Sequence, residues 1–501
     1  MQELRAGNIE VGYQNGFLRY FKAADTEVLR MIYFAVRNAH WENWEPVITD
    51  EVVMKNVNTF KVTCTASYYE QGELFFQFQI RIQGLEYNEI QFEIVGQTLK
   101  DFQTNRAGFC ILHPIEHIAG FPVTVLHSDN EEKTYHFPNQ IAPHQPFIDI
   151  NSMQWKVGES EFRLEMQGDI FEIEDQRNWG DASYKTYCTP LSIPFPKTIK
   201  AGDKIFQKVT FKASLVETQP VITEENASSR SNRVKVGICA GKIPAACATS
   251  LAAVRWDHYR VEVDFASPAW EQDFLIAANQ ARMLGTSLEI SVQLGAEFKN
   301  ELQELAELVN VNAMLVSSLI LLSKDALVTS QPVIDYIPKL RYYFNEVEIG
   351  IGTAYNFTEI NRNRFDAGEA DFIALSFDPQ EHASDDLTIL ENAATLKYMA
   401  ESIRELFGKP VHFSPIMLKR RFNPYATDKN EVVLPLQKQL DARQKTEFLA
   451  EWVKMIFKEL EKTEVRSVTM FQGVGALGLM DEEGNAYPVF EVIHDYATRN
   501  Q

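Results

Sequence analysis

Ser287-Leu288-Glu289-Ile290-Ser291-Val292-Gln293 is a short run of largely apolar, β-favouring residues, and the amphipathic stretch Glu301–Val309 follows it closely. A buried strand leading into a helix is the repeating unit of a parallel sheet. The same unit recurs on either side. Strands are expected at Val234–Cys239, Tyr259–Asp264, Ala313–Ser318, Glu346–Gly350, Asp371–Phe377, Val411–Ile416 and Ser467–Phe471. Helical patterns occupy Asp273–Leu284, Leu387–Phe407 and Arg443–Leu460. Eight strand–helix units in roughly 250 residues predict a (β/α)8 TIM barrel. An open doubly wound sheet is the competitor, but Gly237-Ile238-Cys239-Ala240-Gly241 lacks the glycine spacing of a dinucleotide turn.

Before the barrel the texture differs. Alternating runs such as Asn8–Tyr13, Phe60–Tyr69, Leu74–Ile82, Glu89–Val95 and Lys208–Leu215 follow one another with no long helical period between them. That pattern predicts an antiparallel β-sandwich of the supersandwich kind. The chain therefore reads as multidomain, β plus α/β: a sandwich over 1–219, a polar linker over 220–232 and the barrel over 233–501.

Composition narrows the function. The 501 residues carry 48 Lys and Arg against 69 Asp and Glu, a formal charge of -21 that repels phosphate backbones and argues against nucleic-acid binding. The most apolar stretch, Asn312–Leu322, holds Ser317 and Ser318 and is too short to span a bilayer, so no membrane partner is expected. Met1-Gln2-Glu3-Leu4-Arg5 opens no secretory signal, and a cytoplasmic location is expected. The five cysteines are scattered, with no C-x-x-C pair, and neither a metal nor another cofactor is expected.

Chemistry on a barrel sits at the carboxyl ends of its strands. Four polar segments stand out. Glu174 to Tyr187, in the β half, mixes Glu174, Asp175, Asn178 and Asp181 with aromatic rings, a composition suited to polyol recognition. After the fifth barrel strand come Glu359, Asn361, Arg362 and Arg364, and after the sixth the segment Ser376–Asp385 with His382. Ser414 to Pro424 follows the seventh strand and contributes Arg421 and Asn423; Gln472 closes the eighth. Each of these clusters has a plainer reading as a solvated or self-paired loop. His113-Pro114-Ile115-Glu116-His117 matches a metalloprotease pattern, but Pro114 disfavours the helix which that chemistry needs.

Asn105-Arg106-Ala107-Gly108-Phe109, His113-Pro114-Ile115-Glu116, the Glu174–Tyr187 run, Asn361-Arg362-Asn363-Arg364, Ser414-Pro415 with Arg421-Phe422-Asn423-Pro424, and Gly473-Val474-Gly475 occur in this order. Together they resemble the D-apionate lactonase family. The resemblance implies a β-sandwich ahead of a TIM barrel and hydrolysis of a branched sugar-acid lactone. The family carries a further small C-terminal domain that this chain, ending at Gln501, is expected to lack. Where the family tends to carry an acid and a Trp-Arg pair, Gln472 and Ala476-Leu477 stand here.

Lactone hydrolysis needs an activated water, an oxyanion stabiliser and an acid for the leaving alkoxide. Glu359 or His382 is expected to activate water, and Arg362, Arg364 or Arg421 to stabilise the oxyanion and hold the product carboxylate. Glu174, Asp175, Asn178 and Asp181 are expected to bind hydroxyls or protonate the leaving oxygen, with Asn361, Asn423 and Gln472 lining the substrate. Glycoside hydrolysis is the second reading. The sequence is poor in carboxylates for it, because strand four is expected to end in Ser317-Ser318 and strand eight offers Gln472. A non-catalytic carbohydrate-binding protein is the third.

Overall fold

The structure, a computed structural model, describes residues 1–216, 233–426 and 431–499. The expected linker at 220–232 lies outside the described residues. Two compact units emerge. One contains Met1–Gln176 and the chain from Ser183 to its last described residue at 216; the other contains Arg177–Ala182 and the chain from 233 onward.

The β unit is built from two large antiparallel sheets and a two-stranded one, Phe102–Thr104 with Lys197–Ile199. In spatial order the first contains Gln2–Ala6, Ile9–Gln14, Phe17–Ala23, Thr26–Arg37, Arg106–Pro114, Ser183–Tyr187 and Glu172–Asp175. The second contains Glu132–His136, Pro122–Leu126, Ser152–Val157, Ser160–Gln167, Lys204–Ser214, Glu89–Thr98, Glu73–Leu85, Phe60–Glu70 and Val47–Lys55. The two-residue period explains the packing. In Glu73–Leu85, Phe78, Ile80 and Ile82 are buried while Gln79, Arg81 and Gln83 face solvent. Aromatic pairs join the inner faces: Phe34 against Phe78 at 4.8 Å, Phe92 against Phe109 at 4.9 Å and Phe21 against Phe211 at 5.2 Å between ring centroids. His113 sits in a strand, buried, with Nε2 2.9 Å from Thr186 Oγ1, so His113 and His117 share no helical face.

The second unit is a closed barrel of eight parallel strands: Lys235–Cys239, His258–Asp264, Ser287–Leu294, Val316–Ser323, Glu348–Gly352, Phe372–Phe377, Val411–Ile416 and Val465–Gln472. The fourth corrects the sequence reading. It runs Val316–Ser323, so Ser317 and Ser318 lie at its start and not at its catalytic end. The pattern Leu387–Phe407 likewise divides into helices Asp386–Asn392 and Thr395–Phe407. No helix among the described residues is long and apolar enough to cross a membrane.

The barrel interior is not uniformly apolar. His258 packs over Gly237, where an added Cβ would lie 2.2 Å from its ring, and Nε2 lies 2.7 Å from Thr469 Oγ1. His258 therefore faces inward, and by the same period so do Arg260 and Glu262 nearer the mouth. Glu289, with no exposed surface, accepts from Ser414 Oγ at 2.5 Å, Thr469 Oγ1 at 3.1 Å and Ser318 Oγ at 3.1 Å. His412 Nδ1 and His258 Nε2 lie 3.5 and 3.7 Å from its oxygens. Burial alone would raise this carboxyl, but the two imidazoles and the Ser414 hydroxyl outweigh it and hold Glu289 well below the usual carboxylate range.

Candidate active site

The fifth strand ends at Gly352, and the chain turns into a short helix, Phe357–Arg362, whose first five residues are all buried. That places the Glu359 side chain in the interior, 1% exposed. Tyr425 Oη donates to Glu359 Oε1 at 2.8 Å, and Oε2 has no hydrogen-bond partner among the described residues. Burial pushes the carboxyl up to about 7 against the opposing pull of the Tyr425 hydroxyl. A carboxyl of that kind, with one oxygen uncommitted, suits a general base near neutrality.

Two more carboxyls follow the sixth strand, at Asp378 and Glu381. Asp378 is 4% exposed; burial and the neighbouring Glu381 raise it well above the ordinary value, against the Gln380 N–H that its Oδ1 accepts at 3.3 Å. Glu381 is raised by burial too, and is partly rescued by Arg420, whose Nη1 reaches Oε2 at 3.1 Å; Asn356 Nδ2 donates to Oε1 at 3.1 Å. Glu359, Asp378 and Glu381 line one pocket with Trp179, Tyr355, Tyr425, Arg420 and Arg421. The enclosed cavity itself is small, about 40 Å³, at the bottom of a cleft open to solvent. Sequence reasoning missed Asp378 and Glu381, although both stand just beyond a strand end, and it stopped one residue short of Tyr425. The expected poverty of barrel carboxylates is therefore corrected.

Of the Glu174–Tyr187 run, Arg177–Ala182 belongs with the barrel. Asn178 is fastened by its carbonyl oxygen to Thr358 Oγ1 at 2.8 Å and by Oδ1 to Asn361 Nδ2 at 2.9 Å. Arg362 lies over the Trp179 ring at 5.3 Å, and Arg364 Nη2 donates to Asn361 Oδ1 at 3.3 Å. Gly180 has φ +95, and a Cβ there would lie 2.8 Å from the Asp378 carbonyl oxygen, so only glycine fits without a shift. Asp181 Oδ2 lies 2.6 Å from His382 Nδ1, and its Oδ1 accepts from Asn392 Nδ2 at 3.2 Å.

Asn178, Asn361 and Arg364 thus direct polar atoms at one another, and Asp181 at His382 and Asn392. Arg421 reaches the pocket wall and donates to Glu262 Oε1 at 2.7 Å. Asn423 Oδ1 accepts the Tyr425 N–H at 3.3 Å and shapes the turn that presents Tyr425. His382 and Gln472 do not line this pocket; Gln472 lines a neighbouring one. Glu174 and Asp175 belong to the β unit, where Glu174 pairs with Lys185 and Asp175 Oδ2 accepts the Ala142 N–H at 3.1 Å.

Residues 1–215 match the family model described as D-apionate lactonase, N-terminal domain, and residues 240–501 match D-apionate lactonase, TIM barrel domain. A protein of Brucella anthropi named D-apionate lactonase is 30% identical over 457 residues, covering 85% of this chain and 74% of its own length. Among solved structures, a beta-arabinopyranosidase aligns over 94% of this chain and 82% of its own, at 9% identity and a TM-score of 0.29. A beta-mannanase from Streptomyces thermolilacinus aligns over 52% and 88%, at 13% identity and a TM-score of 0.32.

Proposed function

The chain belongs to the D-apionate lactonase family, and from that premise we propose that it hydrolyses a sugar-acid lactone with Glu359 as general base. The observation that carries the reading is the Glu359 carboxyl: raised to about 7, held on one oxygen by Tyr425, uncommitted on the other and facing a pocket. Near neutral pH a large fraction of it is ionised, and it is basic enough to accept a proton from water.

Water attacks the lactone carbonyl carbon while its proton passes to Glu359. The carbonyl electron pair moves onto oxygen, where Arg420 and Arg421 on the pocket wall balance the developing charge. The ring C–O bond then breaks, and the alkoxide takes its proton from Asp378, whose pKa burial and the neighbouring Glu381 raise well above the ordinary value. The product is an open hydroxy acid; Glu359 and Asp378 regain their starting states by proton exchange with solvent.

A pH-indicator screen of aldonolactones that includes D-apionolactone tests this, with wild type beside Glu359→Gln. Wild type is expected to hydrolyse at least one, and the variant to turn over at least about a hundredfold more slowly. An unchanged rate in the variant removes Glu359 from the role. Three carboxyls in one barrel pocket also suit glycoside cleavage, which uses a carboxyl pair. Aryl glycosides belong in the same screen. Cleavage of these with no lactone opened overturns the lactonase reading.

A further inference from the structure

Beside the Glu359 pocket lies a second one at the barrel mouth, and the two share Met417 and Arg421. Its balance of charge differs: Lys242, Arg260 and Arg421 face Glu262 and Asp273, whereas the first pocket sets Lys419, Arg420 and Arg421 against Glu359, Asp378 and Glu381. Arg260, 2% exposed, donates from Nη1 to Glu262 Oε1 at 2.6 Å, and Arg421 Nη1 donates to that same oxygen at 2.7 Å. Two guanidiniums converge on one carboxylate, leaving one positive charge in excess in a chain whose formal charge is -21. Arg260 Nε and Arg421 Nη2 are also buried, with no acceptor among the described residues. Buried guanidinium donors without acceptors are costly and suited to an incoming carboxylate. Lys242, Asp273, Gln280, Gln439 and Gln472 complete the polar lining; Lys242 offsets Asp273, so the excess of one positive charge stands, and the amides suit sugar hydroxyls.

We propose that this pocket is the receiving site for the carboxylate of the ring-opened sugar acid. The inference rests on the lactonase reading for its direction. A lactone is neutral and enters a pocket of three carboxyls without charge repulsion. Ring opening creates a carboxylate, which ionised Glu359 repels and which Arg260 and Arg421, with buried donors lacking an acceptor among the described residues, attract. Arg421, common to both pockets, is where the new charge crosses from one to the other. The site thus discriminates product from substrate by charge, and it makes the enzyme sensitive to inhibition by its own product.

Calorimetric titration tests this with D-apionate, using as control the uncharged polyol obtained by reducing D-apionolactone. Wild type is expected to bind D-apionate saturably, more tightly than the polyol, and with an affinity that falls as NaCl rises from 50 to 500 mM, roughly a tenfold increase in ionic strength. Arg260→Gln is expected to weaken D-apionate binding by at least about tenfold, with partial recovery in Arg260→Lys. A folded Arg260→Gln protein that binds D-apionate within about twofold of wild type overturns the proposal. So does a polyol that binds as tightly, or a salt-independent wild-type affinity, and these two outcomes decide even where the variant does not fold. Lactone turnover is measured separately on wild type. Its absence, with Arg260-dependent D-apionate binding intact, sinks the lactonase reading and leaves the anion site standing; turnover with Arg260-independent binding does the reverse.

Discussion

Two carboxyls of one barrel, Glu289 in its core and Glu359 at its mouth, are equally hidden from water and titrate in opposite directions. Glu289 accepts three side-chain hydroxyls and sits within ion-pair distance of two imidazoles. Glu359 has one hydroxyl and one uncommitted oxygen. Burial disfavours charge in both; the number of compensating partners decides the sign. The core carboxylate is spent on holding strands together, whereas the mouth carboxyl keeps its basicity for a ligand.

Removing the side chain in each place should break the comparison most visibly. Glu289→Ala leaves the Ser414, Thr469 and Ser318 hydroxyls and two buried imidazoles without the carboxylate they face, and we expect a loss of roughly 3–5 kcal/mol of stability, read by urea denaturation. Because its folded pKa is depressed, the wild-type contribution is complete above the unfolded value near 4.5 and drains away as pH falls below it. Glu359 has the opposite sign. Its raised pKa means that ionisation costs the fold stability as pH climbs from about 4.5 to about 7. Glu359→Gln should therefore be more stable than wild type at pH 8, by about 1–3 kcal/mol, and close to it at pH 4. Equal melting curves at pH 8 would show that Glu359 does not carry the strained charge described here.

The sequence made some of this visible and hid the rest for physical reasons. Buried parallel strands are continuous apolar runs, which is why seven of the eight barrel strands lie within a few residues of their expected places. The fourth slipped because Asn312–Leu322 is apolar on both sides of Ser317-Ser318, so the serine pair read as the end of the strand when it lies at its start. Glu359 was legible from its place in a loop after a strand. Asp378 and Glu381 were not, because an imidazole in a loop draws attention by its residue type, while a carboxyl becomes reactive only through burial that the local sequence does not record. Arg260 was invisible for the same reason: mid-strand charges look like noise until the barrel closes around them.

A smaller change sharpens the account of the mouth. The Tyr425 hydroxyl lowers the Glu359 pKa, so Tyr425→Phe should move the rising limb of the pH–rate profile to higher pH while leaving its plateau within about tenfold. A limb that stays in place would detach Tyr425 from the proton-accepting group.

The central claim is most directly tested by the pH dependence of kcat/KM for lactone hydrolysis by the wild-type protein. The account predicts a rate that rises with an apparent pKa of about 7, as a base that must be ionised requires, and a limb that vanishes in Glu359→Gln. A profile that is flat from pH 5 to 8, or a limb near 7 that survives in Glu359→Gln, would contradict it.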